Sequence, residues 1–387
     1  MAKSPKSSKA AKSGIPVFFA TNRDRLSDAF GIDAAPGLGG ERRLWLGRVT
    51  VEALDDPAAT EAARSVLHLP DISGTDDFAD PDAGDCAQTL RDWLDGATAA
   101  GAVPLLFIHG FANTFNSAVC RAAQLVEFYA EAGVRLAPLA FCWPSDGKLV
   151  DLGDILRPVS SAIENYRLDQ RDAALSGPAL ARLMREMHRA KGRWKDKRGR
   201  VLLLAHSMGN HALAAGLTAL SNGLLTAEAK GLFDQAVLMA PDEVSTSFGR
   251  KQPLAPLPFL ARQVTVGINV DPVLSDISSR VNEGPRLGFA GPANLFDLPA
   301  NVAVVDCFRG LESNEVKDRL VASVPGGGAS FDIVGHQYYR NDRNVRADLA
   351  QVFAGAAPEA IDGRRALEPE QRIVASRGRT MELEFRG

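Results

Sequence analysis

The run Val103-Pro104-Leu105-Leu106-Phe107-Ile108 is apolar at every position, and it sits between two stretches of helical character. A strand with one wet face alternates apolar and polar side chains. One with no polar position must be covered on both faces, which is the situation of a strand inside a parallel sheet. Val201-Leu202-Leu203-Leu204-Ala205 reads the same way after Arg200. Further β-type runs lie at 15–20, 44–51, 136–143, 235–239, 263–268 and 302–305. Helical patterns lie at 86–100, 116–132, about 160–190, 208–221 and 341–353. Strands alternating with helices predict an α/β architecture, a mostly parallel central sheet with helices on both faces. Its crossovers should be right-handed. In such sheets chemistry gathers beyond the carboxyl ends of the strands.

The spacing predicts one domain over 15–353, flanked by a disordered basic tail at 1–14 and a polar, loosely ordered tail at 354–387. Within that second tail Met381-Glu382-Leu383-Glu384-Phe385 alternates and can pair as an edge strand. A Pro/Gly/Asp-rich connection is expected through Pro70-Asp71-Ile72-Ser73-Gly74 and Asp80-Pro81-Asp82. With 45% hydrophobic and 24% charged residues the chain has the balance of an ordinary globular protein. A net charge of −3 does not provide the concentrated basic face of a nucleic-acid binder. No stretch approaches a membrane-spanning length. Four cysteines without metal-ligand spacing read as buried free thiols, so the reducing cytoplasm is the expected setting.

The segment Ala205-His206-Ser207-Met208-Gly209-Asn210 places a serine in a sharp turn between a buried strand and a helix. A nucleophile there must project with its oxygen exposed, so its flanking positions have to be small. Ala205 and Gly209 are small, although the G-x-S-x-G pattern is met with Ala205 in place of its first glycine. The helix that follows points its N-terminus at the turn, where free N–H groups favour developing negative charge. The alternative reading is an ordinary strand-to-helix turn with Ser207 as an N-cap.

An earlier strand ends in His109-Gly110-Phe111. The backbone amides of Phe111 and Met208 are the expected oxyanion donors. Gly110 permits close approach to a substrate, and His109 is expected to hold the loop rather than to catalyse. Serine needs a base, and the base needs an orienting carboxylate, in the chain order Ser, acid, His. Only His211 and His336 follow Ser207. His211 lies one turn into the next helix and is carried away from the serine, so His336 is the expected base. Asp271 and Asp242 each lie just past a strand, and either can orient a histidine. Asp271 is preferred, and Asp276 is a weaker candidate in the same loop.

Several motifs in this order resemble a family of uncharacterised, mostly bacterial α/β hydrolases described as esterase- or lipase-like. They are Val17-Phe18-Phe19-Ala20-Thr21-Asn22-Arg23, Ile108-His109-Gly110-Phe111-Ala112-Asn113-Thr114-Phe115, Phe141-Cys142-Trp143-Pro144-Ser145-Asp146-Gly147, Ala205-His206-Ser207-Met208-Gly209-Asn210, Ala240-Pro241-Asp242 and Gly335-His336-Gln337-Tyr338-Tyr339. The resemblance implies the α/β-hydrolase fold, a Ser207, Asp271, His336 triad, and neither cofactor nor metal. Two departures stand out. Val270 separates Asn269 from Asp271 where the family's acid loop reads Asn-Asp, and the stretch 308–329 is longer than usual.

The expected activity is hydrolysis of a small-molecule ester or acyl compound through an acyl-enzyme. Trp143, Ser145 and Asp242, with His109 and Gly110, are expected around the substrate. Residues 273–299 are expected either as a lid over an apolar acyl site or as a surface excursion. Thioesterases, acyltransferases and peptidases use the same machinery. A catalytically silent binding protein is the rival from another class, and intact candidates at every triad position argue against it.

Overall fold

The computed structural model describes residues 14–26, 29–34, 43–53, 66–75, 85–146, 160–196, 199–221, 230–271, 273–295, 298–308, 336–366 and 379–383. Residues 1–13 of the tail expected at 1–14, the Asp80-Pro81-Asp82 connection and most of the long stretch at 308–329 lie outside them, while Gly14 opens the first strand.

The strands are β1 (Gly14–Thr21), β2 (Arg23–Arg25), β3 (Phe30–Ala34), β4 (Leu44–Glu52), β5 (Val66–Thr75), β6 (Val103–Ile108), β7 (Leu136–Phe141), β8 (Leu202–His206), β9 (Phe233–Met239), β10 (Ala261–Ile268), β11 (Val302–Asp306), β12 (Arg364–Ala366) and β13 (Arg379–Leu383). The main helices are α1 (Asp85–Ala99), α2 (Phe115–Glu131), α3 (Ser160–Leu175), α4 (Gly177–Arg193), α5 (Gly209–Ser221) and α6 (Arg343–Ala354).

Eleven strands form one sheet in the order β12-β13-β11-β10-β9-β8-β6-β7-β1-β4-β5. Every neighbouring pair from β13 to β1 is parallel. Antiparallel pairs close both ends: β12 on β13, and β4 and β5 beyond β1. The apolar runs are explained by the two layers they join. Leu106, Ile108, Leu203 and Ala205 pack under α1, α3, α4 and α5, while Leu105, Phe107, Leu202 and Leu204 pack under α2 and α6. Each fully buried aliphatic or aromatic side chain contributes about 1.5–3 kcal/mol, so polar substitutions inside these strands are excluded on either face.

Four elements differ from the sequence reading. The helical pattern at 160–190 is two helices, because Pro178 fits only the first turn of a helix, where its missing N–H is not needed. The Pro70–Gly74 region is a strand, not a connection. β5 is at the sheet edge, and Pro70 lies where the register slips between the pairs Arg48–Asp71 and Thr50–His68. The sheet also continues past residue 353, where a loose tail was expected. The alternating segment near 381 pairs inside the sheet, and β12 forms the edge. β7 stops at Phe141 rather than 143, although the Cys142 N–H still donates to Ala20 at 2.8 Å.

β6 lies between β7 and β8. From β6 the chain crosses one face through α2 to β7, and from β8 it crosses the other face through α5 to β9. The loops leaving β6 and β8 therefore diverge and open a crevice between them, the switch point where open α/β sheets bind ligands.

Candidate active site

Ser207 occupies that switch point. Its φ is +53°, left-handed for a residue that has a side chain. Such a conformation costs about 1–3 kcal/mol and persists only where neighbours over-determine it. Here the Ser207 N–H donates to Met239 at 3.0 Å, and its carbonyl accepts from the amides of Asn210 (2.9 Å) and Asp242 (3.2 Å) and from Asn210 Nδ2 (3.1 Å). Of the four non-glycine residues with positive φ among those described, Ser207 and Ala240 follow β8 and β9 directly and Ala112 lies in the loop after β6. Strain is concentrated at one end of the sheet.

Two glycines make the crevice possible. A Cβ on Gly209 would lie 2.5 Å from the carbonyl oxygens of both Ile108 and His109, and one on Gly110 would lie 2.9 Å from Ser207 Cβ. The two loops therefore touch at their roots, where they leave the strands, and any side chain at either position would push them apart there.

On the β6 side, His109 is fully buried. Its Nδ1–H donates to the Gly110 carbonyl at 2.8 Å, and its ring stacks on Trp143 with centroids 5.0 Å apart. Trp143 Nε1–H returns a bond to the His109 carbonyl at 2.8 Å. Burial, reinforced by the Arg23 charge, pushes the His109 imidazole down to about 3, so it is neutral and held in place. Trp143 and Ser145, expected to line the cleft, are fully buried and hydrogen-bonded within the loops. Among the described residues no acceptor is found for the backbone N–H of Phe111 or of Met208.

His336 and Asp271 meet although 65 residues separate them: Nδ1–H of the imidazole donates to Asp271 Oδ2 at 2.6 Å. Asp271 is fully buried and His336 nearly so. The other carboxylate oxygen accepts the Val273 N–H at 2.9 Å, which sets the plane of the acid. Asp242, the alternative acid, is engaged elsewhere. Its Oδ1 accepts the guanidinium of Arg286 at 2.8 Å and the hydroxyl of Ser278. His211 is likewise paired, with Glu243 at 2.6 Å.

Two residues that the sequence left without a role hold the histidine loop. His206, adjacent to Ser207, donates Nε2–H to the His336 carbonyl at 3.0 Å, and the two rings lie 4.7 Å apart. Burial and the neighbouring His336 push the His206 imidazole well below its ordinary value, so it acts as a neutral donor. The Tyr338 hydroxyl donates to Gly267 at 2.8 Å and accepts the Ala240 N–H at 3.0 Å, which ties the ends of β9 and β10 beneath His336. The segment 273–290 is short helical turns, fastened to this rim rather than loose. Gly288 N–H donates to Pro241 at 2.9 Å, and Asn269 N–H donates to Gly288 at 3.0 Å.

A family model described as alpha/beta hydrolase of unknown function (DUF900) matches residues 89–306. The matched span holds Ser207 and Asp271 and stops short of His336, whose place rests on the structure. The comparisons with curated proteins and with solved structures found no match.

Proposed function

The chain belongs to this family of alpha/beta hydrolases of unknown function, and from that premise we propose that it is a serine hydrolase of carboxylic esters. The observation that carries the reading is the buried 2.6 Å pair of His336 and Asp271, clamped through His206 to the strained turn that presents Ser207. A carboxylate that fixes Nδ1–H leaves Nε2 as the free, basic nitrogen, and that is the tautomer a general base requires.

His336 takes the Ser207 proton as the hydroxyl attacks the ester carbonyl, and Asp271 steadies the imidazolium that forms. The amides of Phe111 and Met208 receive the oxyanion. Collapse breaks the ester C–O bond, and the alcohol leaves with the proton held by His336. Water, deprotonated by the same imidazole, then releases the acid from Ser207. Gly110 stands at the substrate carbonyl. His109, Trp143, Ser145 and Asp242 act behind it, shaping the loops. Phe111, Ile277 and Val281 are partly buried against the core on the α3 side and suit an apolar acyl group.

The test is reaction with a fluorophosphonate probe and turnover of p-nitrophenyl esters of graded chain length. The expected result is a single adduct mapped to Ser207 and saturable ester hydrolysis. Folded protein that neither labels nor hydrolyses any ester would return the chain to a binding role.

A further inference from the structure

Building on the serine-hydrolase reading, we propose that Asp169, from the middle of α3, is the positioning residue of the oxyanion loop. Ser145 acts as its relay. Asp169 is fully buried. Its Oδ2 accepts the Ala112 N–H at 3.1 Å and the Ser145 hydroxyl, and its Oδ1 accepts the Asp146 N–H at 3.1 Å. Ser145 Oγ in turn accepts the Asn113 N–H at 3.0 Å. One carboxylate thus collects donors from the loop after β6 and from the loop after β7.

The remaining groups of the loop are held by the same network. Asn113 Nδ2 donates to the carbonyls of Gly110 (2.9 Å) and Phe111 (2.8 Å). Arg23, buried at the start of β2, donates to the Asn113 carbonyl at 2.7 Å and to the Ser145 carbonyl at 3.1 Å. The two peptides on either side of Phe111 are therefore fixed through Asn113, and Asn113 is fixed from one side by Ser145 with Asp169 and from the other by Arg23. Ala112, held directly by Asp169, is the residue with φ of +56°.

A charge-assisted acceptor is about twice as strong as a neutral one, which suits a group that must keep a strained peptide in place. The carboxyl pays for this: burial pushes it up to about 6, against the pull of its three hydrogen bonds. An oxyanion donor helps only if it is aimed before the reaction starts, so the network acts on the rate of attack and not on the affinity for the ester.

The experiment compares wild type with Asp169→Asn and Ser145→Ala for kcat and KM on p-nitrophenyl butyrate, for the rate of fluorophosphonate labelling, and for the unfolding transition. Asp169→Asn is expected to lower kcat and the labelling rate about 30-fold, a fraction of what a lost oxyanion donor costs, with KM within about twofold. Ser145→Ala keeps the Ala112 and Asp146 bonds and loses the hydroxyl's own bond to Asp169 together with the Asn113 link it relays, so a smaller loss with the same split is expected. If Asp169→Asn does not fold, Ser145→Ala decides. Labelled wild type with folded variants at unchanged kcat, or with losses confined to KM, overturns this inference alone. An unlabelled, inactive wild type overturns the serine-hydrolase reading and this inference with it.

Discussion

Ser207→Ala is expected to lower kcat for a short p-nitrophenyl ester by about 10^6-fold and to abolish fluorophosphonate labelling. The size of the loss follows from the division of labour. Without the hydroxyl there is no acyl-enzyme, and the reaction reverts to attack by water that His336 is not placed to activate in one step. The amides near Ser207 remain, so a residual rate above the uncatalysed one is expected. Alanine also relieves nothing in the turn: φ at +53° is as strained for Ala as for Ser. The variant should therefore unfold within about 1 kcal/mol of wild type, which separates loss of chemistry from loss of fold.

Asp271→Asn is the second large effect, a fall in kcat of about 10^4-fold with KM little changed. The reason lies in the second bond of the carboxylate. One oxygen accepts the Val273 N–H at 2.9 Å and the other accepts the His336 Nδ1–H at 2.6 Å. An amide has one oxygen. If it stays with Val273, its NH2 faces Nδ1, the imidazole moves its proton to Nε2, and the base points a hydrogen at the serine. If it turns to His336, the NH2 meets the Val273 N–H and a buried donor is left unpaired, at a cost of about 1–3 kcal/mol. Steady-state kinetics with denaturant melts distinguish the two outcomes. A variant retaining more than a tenth of wild-type kcat would show that Asp271 does not orient the base.

Much of this was legible in the residues. Strands with no polar position have to be covered twice, so the parallel core was predictable from Val103–Ile108. Ala205 and Gly209 marked a turn with close backbone approach, and a Cβ on Gly209 would lie 2.5 Å from the carbonyl oxygens of Ile108 and His109; that the β6 loop is the neighbour was not legible. The sequence favoured Asp271 over Asp242 without a decisive reason, because both lie just past a strand. In the structure the two carboxylates differ in their partners: Asp242 accepts the guanidinium of Arg286, 44 residues further on, and Asp271 accepts His336 Nδ1–H.

Asp169 left no local signal either, since an aspartate inside an amphipathic helix reads as part of its wet face. Its burial follows from the loops that fold against α3. Arg23 stood in a recognisable motif, but its partners at Asn113 and Ser145 are about 90 and 122 residues away. β5 was misread because Pro and Gly weigh toward loops, while a bulged edge strand tolerates both.

On the proposed reading, Ser207, His336 and the amides of Phe111 and Met208 surround one reacting carbon. The crystal structure of the phosphonylated enzyme tests it most directly. The expected result is phosphorus bonded to Ser207 Oγ, with fluoride lost, its P=O oxygen within about 3 Å of both amides, and His336 Nε2 facing Ser207 Oγ with Nδ1 still on Asp271. An adduct on another residue, or a phosphonyl oxygen turned to solvent with the Phe111 and Met208 amides pointing away, would contradict it.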